Sequence, residues 1–298
     1  MKLLVLGASG FIGRAAVDYF SAHNAVLGVD REHDPLREGI IAGDTETVKK
    51  LIAAEGFDVV LNCAGSSDIR KSFVDPENDF ALNVSFTQAV LAAIANASPK
   101  TRFVNFSSAA VYGNALSLPI HENDRLQPIS PYGFHKLLSE QLVREYCELF
   151  KVNALSLRIF SAYGVGLRRQ LIYDLYQKFC ASPVSVSLYG TGNESRDFIE
   201  ISDIMQALDL LILKAPFAGE AYNLAGGEEI HISKLAEIFA GICGYRGEIQ
   251  FRGEQIEGYP INWRADINKL RALGFRPRVS LEQGLEHYYQ WVKHHVSV

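Results

Sequence analysis

The rhythm of the first half of this chain limits its fold most strongly. Five short apolar runs, Lys2–Leu6, Ala25–Val29, Asp58–Asn62, Arg102–Phe106 and Ala154–Ile159, alternate with helix-like stretches at about 11–22, 45–55, 78–97 and 132–150. A strand that is apolar on both sides of its pleat needs cover on both faces. Such strands separated by helices predict a parallel sheet, and right-handed crossovers place helices on its two sides. The expected fold is therefore α/β, a doubly wound, Rossmann-like parallel sheet.

The rhythm changes after about residue 164. A helix near 168–181, a strand Val184–Leu188 and a glycine-containing loop 189–195 are followed by helices near 202–214, 231–243 and 280–295. Asp197–Glu200 and Ala221–Leu224 read as strands that return to the main sheet. These boundaries predict a dinucleotide-binding domain over 1–164, with returning segments near 196–227. Residues 165–298 form mainly a smaller, interleaved substrate-binding lobe. The two lobes would make one cooperative unit with a cleft between them.

Bulk properties remove several classes of function. Net charge is −5 with no basic block, which argues against a nucleic-acid surface. No apolar run approaches the roughly 20 residues that span a bilayer, so no membrane partner is expected. The N-terminus runs straight into a strand and lacks the pattern of a signal peptide, which points to the cytoplasm. Cys63, Cys147, Cys180 and Cys243 are widely spaced. They predict buried free thiols rather than a disulfide framework or a zinc site, and no metal is expected.

The first strand ends at Gly7-Ala-Ser-Gly10-Phe11-Ile12-Gly13, which opens the first helix. Glycines there permit a tight turn, close approach of a pyrophosphate and close helix–strand packing. The helix N-terminus offers free N–H groups to phosphates. Asp30 ends the second strand 17 residues after Gly13. It can accept hydrogen bonds from ribose hydroxyls and would repel a 2′-phosphate, which favours NAD. Arg31 follows and could receive that phosphate, so NADP is not excluded.

A Tyr and a Lys four residues apart share a helix face, where a cation can lower a phenol pKa. The chain carries two such pairs, Tyr132/Lys136 and Tyr289/Lys293, and spacing alone does not choose between them. The first pair follows Ser130-Pro131, a helix-start signal. Ser107 and Ser108 end a strand on the side where open α/β sheets bind ligands. The second pair lies in the last helix beside Trp291, as on a surface-to-core face. His135, inside the first pair, has no assigned work. His231, His294 and His295 read as surface residues.

Taken in order, these segments resemble the extended short-chain dehydrogenase/reductases, in their nucleotide-sugar epimerase and dehydratase branch. Gly-x-x-Gly-x-x-Gly is that family's spacing. Asn62-Cys63-Ala64-Gly65 resembles its third-strand end, whose backbone lines the cofactor. Asp44, with Thr45 beside it, resembles the acid at the adenine. Asn83 resembles an Asn of the fourth helix. Phe106-Ser107-Ser108-Ala-Ala-Val-Tyr-Gly113 resembles the active-site strand end, and Tyr132-x-x-x-Lys136 the catalytic pair. Leu157-Arg-Ile-Phe160-Ser161 resembles a cofactor-side strand end that normally carries Asn where this chain has Ser161. Arg196-Asp-Phe-Ile resembles a segment whose Arg binds the nucleotide diphosphate. Arg264 is a second candidate, and Arg168 and Arg169 have solvated or interface roles as alternatives. A salt bridge to Asp197 or Glu200 is the alternative for Arg196.

The resemblance implies a catalytic set of Ser108, Tyr132 and Lys136, with Ser107, Ser108, Ser161, Arg196 and Arg264 at the substrate, a nucleotide-diphosphate sugar. Tyr132 would be the acid/base, Lys136 would lower its pKa, and Ser108 would hold the reacting sugar oxygen. The 4,6-dehydratases of the family carry an Asp-Glu pair where this chain has Ala109-Ala110, and alanine cannot transfer a proton. That leaves an NAD-dependent nucleotide-sugar 4-epimerase, which oxidises C4 transiently, as the leading expectation. An NAD(P)H-dependent nucleotide-4-keto-6-deoxysugar reductase is the alternative, and a non-catalytic dinucleotide-binding protein a third. By the same analogy helices 78–97 and 132–150 would build a homodimer, and Trp263 would sit near the sugar.

Overall fold

The computed structural model describes residues 1–31, 39–254 and 257–296. Seven strands form the main sheet: β1 (Lys2–Leu6), β2 (Ala25–Asp30), β3 (Ile40–Ala42), β4 (Val59–Asn62), β5 (Arg102–Ser108), β6 (Asn153–Ile159) and, later in the chain, Ala218–Leu224. All neighbours are parallel, in the order Ala218–Leu224, β6, β5, β4, β1, β2, β3. The order reverses between β1 and β4, so the turns after these two strands meet at the switch point, where such sheets bind ligands.

Alternation along the strands explains the two-sided core. Leu3, Val5, Val59, Leu61 and Val104 face one way, toward α1 (Phe11–Phe20) and a helix at Ile201–Lys214. Leu4, Leu6, Val60 and Phe103 face the other way, toward α2 (Thr45–Glu55) and the two long helices described next. Period-two alternation puts neighbouring residues on opposite faces, so each central strand must be apolar throughout.

Between β4 and β5 the chain forms α3 (Ile69–Val74), α4 (Pro76–Phe80), a π-helical turn Ala81–Ser85 and α5 (Phe86–Ala97). The expected single helix at 78–97 is thus interrupted. The run Pro76–Ala97 also has the length and mean hydropathy, 1.4, of a membrane span, which the sequence reading did not anticipate. Val84, Val90, Leu91 and Ile94 in this run are buried against the domain, and about 33% of its apolar stretch lies inside the protein. After β5 a single 3₁₀ turn, Ala109–Tyr112, precedes α6 (Pro131–Phe150).

The second lobe contains β7 (Ser161–Tyr163), α7 (Gln170–Ala181), β8 (Ser185–Leu188), β9 (Ser195–Arg196), β10 (Phe198–Glu200), α8 (Ile201–Lys214), β11 (Ala218–Leu224), β12 (Ile230–His231), α9 (Ile232–Cys243), β13 (Glu248–Phe251), α10 (Asn268–Ala272) and α11 (Leu281–His295). Only β11 returns to the main sheet. The expected return of Asp197–Glu200 is corrected: β10 pairs with β7 in a separate two-stranded sheet, because the main-sheet edge beside β6 is taken by β11. Leu175, Phe179, Leu235, Phe239, Leu285 and Tyr288 make the core of this lobe. The expectation of buried thiols also needs correction. All four cysteines are free, but Cys180 is exposed and the others are half-buried.

Candidate active site

A cavity of about 1180 Å³ runs from the glycine-rich turn after β1, past the ends of β4 and β5, to the second lobe. Gly7 sits at φ +73°, and a Cβ there would lie 2.7 Å from the Ala64 backbone across the switch point. A side chain at Gly13 would meet the Gly7 carbonyl oxygen at 2.1 Å. The turn can therefore be built only from glycine, and it brings the helix N-terminus to the cavity. Gly10 caps α1 without a side-chain bond, and the first turn holds no acid, which suits an anion.

Gly7, Gly10, Phe11, Ile12, Gly13, Asp30, Arg31, Asp44, Thr45, Cys63, Ala64, Gly65 and Phe160 all line this cavity. Asp30 accepts from the Ser9 N–H at 2.8 Å and the Arg31 N–H at 2.7 Å, which fixes its carboxylate at the strand end. Asp44 caps α2 through the Thr47 N–H and hydroxyl, and these bonds hold its pKa below the usual carboxylate range. This end of the cavity, with free N–H groups for phosphates and acids for hydroxyls, fits NAD. Residues 32–38, which bear on the choice between NAD and NADP, lie outside the described residues.

Deeper in, Ser108 ends β5 and its oxygen accepts from the Ala110 N–H at 3.1 Å. Tyr132 and Lys136 lie on the inner face of α6. Ser130 caps that helix, accepting from the Gly133 N–H at 3.1 Å, with Pro131 in the first turn. Glycine at 133 lets α6 approach the 3₁₀ turn, since a Cβ would come within 2.7 Å of the Ala110 oxygen. The Tyr132 phenol is thereby brought near enough to Ser108 for the serine hydroxyl to lower its pKa. Lys136 Nζ donates to the Phe106 carbonyl at 2.8 Å and stands 5.8 Å from the Tyr132 ring centroid.

Burial dominates the electrostatics of the Tyr132–Lys136 pair. Burial pushes Tyr132 up to about 12, Ser108 draws it down, Asp79 raises it and Arg169 lowers it. Burial brings Lys136 itself down to about 8, opposed by Asp79, Cys63 and Glu140.

Other expected residues are distributed unevenly. Ser161 and Arg196 line the cavity. Arg196 makes neither of the salt bridges held open for it. It donates to the carbonyls of Ser195 (2.7 Å) and Ile261 (3.0 Å) and lies over Trp263. Burial lowers its pKa to about 10. Ser107 borders the cavity, but its hydroxyl donates to Glu140 at 2.5 Å. Glu140 in turn holds Arg158 in a buried bidentate pair, so the Ser107 hydroxyl is engaged away from a ligand. Asn83 is buried behind Gly65, its Oδ1 2.5 Å from where a Gly65 Cβ would be, rather than on the cavity wall. Arg264 is exposed and outside the cavity. Its neighbours Trp263 and Ala265 are the buried ones, and the extended alternation turns Arg264 away. The Tyr289/Lys293 pair stacks on α11, away from this cavity.

The sequence reading missed Arg70, Tyr189 and Tyr259, which also line the cavity. Arg70 and Arg252 stand over the Tyr189 ring, at 5.3 Å and 5.2 Å from its centroid. No local pattern marks these residues, which are brought together only by the tertiary fold. Arg168 and Arg169 diverge. Arg168 donates to the His295 carbonyl, whereas Arg169 enters the cavity. Among the described residues no three His, Cys, Asp or Glu side chains converge as a metal site.

Comparison with known proteins agrees with this arrangement. Residues 3–225 match the NAD dependent epimerase/dehydratase family. The uncharacterised UDP-glucose epimerase YtcB of Bacillus subtilis is 30% identical over 311 residues, covering 96% of each chain. A putative UDP-glucose 4-epimerase of Methanocaldococcus jannaschii is 28% identical, covering 98% of each. The crystal structure of UDP-glucuronic acid 4-epimerase from Bacillus cereus, in complex with UDP-glucuronic acid and NAD, superposes with a TM-score of 0.90 at 28% identity, covering 99% of each chain. With its family match extending over most of its length, its glycine turn and its Ser–Tyr–Lys cluster, this chain belongs to the NAD-dependent nucleotide-sugar epimerase/dehydratase family.

Proposed function

We propose that the protein is a 4-epimerase of a nucleoside-diphosphate hexose. The observation that carries this is the wall beside Ser108. Ala110 lines the cavity there and Ala109 is fully buried, so neither position offers an acid to remove water from the sugar. What remains is a phenol, a hydroxyl and an ammonium, suited to moving one proton at a sugar hydroxyl.

In this reading Gly7, Gly10, Gly13, Asp30, Asp44 and Lys136 would hold NAD, which when bound accepts and returns hydrogen at C4 of the sugar. Ser108 fixes the reacting oxygen next to Tyr132. Tyr132 takes the hydroxyl proton and gives it back on the opposite face of the ring. Lys136 is the positive charge near the phenolate. The positive charge of an oxidised nicotinamide held beside them would also lower the phenol, which burial pushes up to about 12. Arg196, stacked on Trp263, anchors the diphosphate while the hexose turns. Relatives named for UDP-glucose and UDP-glucuronic acid support a uridine diphosphate as the handle.

A second reading, reduction of a 4-keto-6-deoxysugar, is favoured by Arg31, which borders the cavity beside Asp30. The exposed apolar side chains Phe134 and Leu138 of α6, with Phe80 of α4, support a homodimer across that face. Turnover of a UDP-hexose panel tests the assignment. An epimerase equilibrates the two C4 epimers without net consumption of added cofactor. Stoichiometric loss of reduced nicotinamide with a 4-keto sugar would replace it by the reductase.

A further inference from the structure

Glu140 and Arg158 form a buried ion pair that the proposed reaction does not use. Each is 4% exposed, and neither lines the cavity. Glu140 lies four residues after Lys136 on α6, hence on the same helix face. Arg158 Nη2 donates to its Oε2 at 2.7 Å, and Arg158 Nε lies 3.0 Å from Oε1 and 3.2 Å from Oε2. The Ser107 hydroxyl donates to the same Oε1 at 2.5 Å. Ser107 precedes Ser108 on β5 and is paired in register with Arg158 on β6. One carboxylate of the helix that carries Tyr132 therefore grips two neighbouring strands at their active-site ends.

Arg158 is fixed from behind as well. Its Nη1 donates to the Tyr112 hydroxyl and to the Glu122 carbonyl, both at 2.8 Å. Tyr112 donates to Asn223 Oδ1 at 2.7 Å, and Asn223 Nδ2 donates to the carbonyls of Ile120 at 2.9 Å and Asp266 at 3.2 Å. None of these buried side-chain atoms is without a partner. For the fold alone such a pair adds little, because desolvation offsets most of its attraction and apolar residues of similar volume hold a core as well. What it adds is direction, since a bidentate fork has one geometry whereas apolar side chains can slide. Direction matters on this face of α6. Lys136 Nζ must meet the Phe106 carbonyl at 2.8 Å, and the helix packs on the Ala110 turn with no room for a side chain at Gly133.

We propose that Glu140 and Arg158 are positioning residues that set the height of α6 on β5, and with it the placement of the Tyr132 phenol against Ser108. They act through the strand ends and the helix, not on substrate or cofactor. Ser107 is the third member of the clamp, which gives its hydroxyl a task one residue away from the reacting serine. A displacement of about 1 Å between reacting groups can cost about a hundredfold in rate, so a clamp one helical turn from Lys136 bears directly on turnover. The inference rests on the proton-transfer role given above to Ser108 and Tyr132.

The test is the double variant Glu140→Met with Arg158→Met in the full chain, which removes both charges and leaves no orphaned ion. Its Tm stays near the wild-type value. A single 3-fluorotyrosine at position 132 reports the phenol's surroundings without substrate, and its fluorine resonance shifts or splits in the double variant. With a UDP-hexose, kcat falls about ten- to a hundredfold, while KM stays within about threefold because no substrate contact is lost. A fluorine resonance that does not move overturns the proposal, and a lower Tm beside it marks the pair as merely structural. If the unaltered protein turns over no UDP-hexose, the functional reading fails and the resonance alone decides the positioning. If the double variant does not fold, Ser107→Ala decides by the same resonance, since it releases β5 and leaves the ion pair intact: a shift supports the clamp and an unmoved signal overturns it.

Discussion

At the scale of single residues the site depends on a phenol that the protein alone keeps protonated. Burial dominates Tyr132, and the neighbouring Ser108 hydroxyl works against it to lower the pKa. Removing the hydroxyl in Tyr132→Phe should cut kcat by about 10²–10⁴. Nucleotide-sugar affinity should stay near wild type, because Arg196 and the Trp263 wall are untouched. Steady-state kinetics with a binding titration checks this, and turnover within tenfold of wild type would remove Tyr132 from the proton path. Much at this scale was legible in the sequence, since Ser108, Tyr132 and Lys136 lie in or beside motifs whose spacing has a mechanical reason. Arg264 and Ser107 were not. Their side-chain directions are set by an alternation through Trp263 and by a buried ion pair, neither visible before the chain is folded.

At the scale of elements, short contacts decide where the site groups stand. The Glu140–Arg158 pair ties α6 to β6 one turn beyond Lys136, and Asn105 and Ser139 add a hydrogen bond between β5 and α6. Asp197 does similar work in the second lobe. It lies between β9 and β10, is fully buried and accepts N–H groups from Gly227 and Ala265, tying that junction to two loops. Burial raises its pKa to about 7. A raised folded-state pKa means that the folded protein holds this proton more tightly than the unfolded chain. The stabilisation is therefore complete below about pH 4, the unfolded carboxylate value, and is lost as pH rises toward 7. Thermal melts between about pH 5 and pH 8 should show wild type losing more Tm than Asp197→Asn. Parallel curves would contradict this. The helix and strand periods of the sequence located these elements, yet β3, β7, α3 and the π-helical turn escaped notice. They are short and owe their form to tertiary partners rather than to their own pattern.

At the scale of the whole molecule, the parallel order and its reversal between β1 and β4 bring the glycine turn, the β5 end and α6 to one cavity. The alternation of apolar runs sufficed to predict that sheet. It did not reveal that β10 stays out of it, because a three-residue apolar run does not say which strand it pairs with, and β10 pairs with β7 while β11 pairs with β6. The outer face of α6 is expected to bury itself in a homodimer. Phe134→Glu with Leu138→Glu should give a monomer by sedimentation, whereas a wild-type protein that is already monomeric would dismiss that interface. The central claim is that hydrogen leaves C4 and returns to it within one closed site served by Tyr132. It is tested most directly with a UDP-hexose carrying deuterium at C4. The expected product is epimerised and keeps the deuterium at C4, with no net change in reduced nicotinamide. Loss of the label to solvent, or a product formed only at the expense of reduced cofactor, would contradict it.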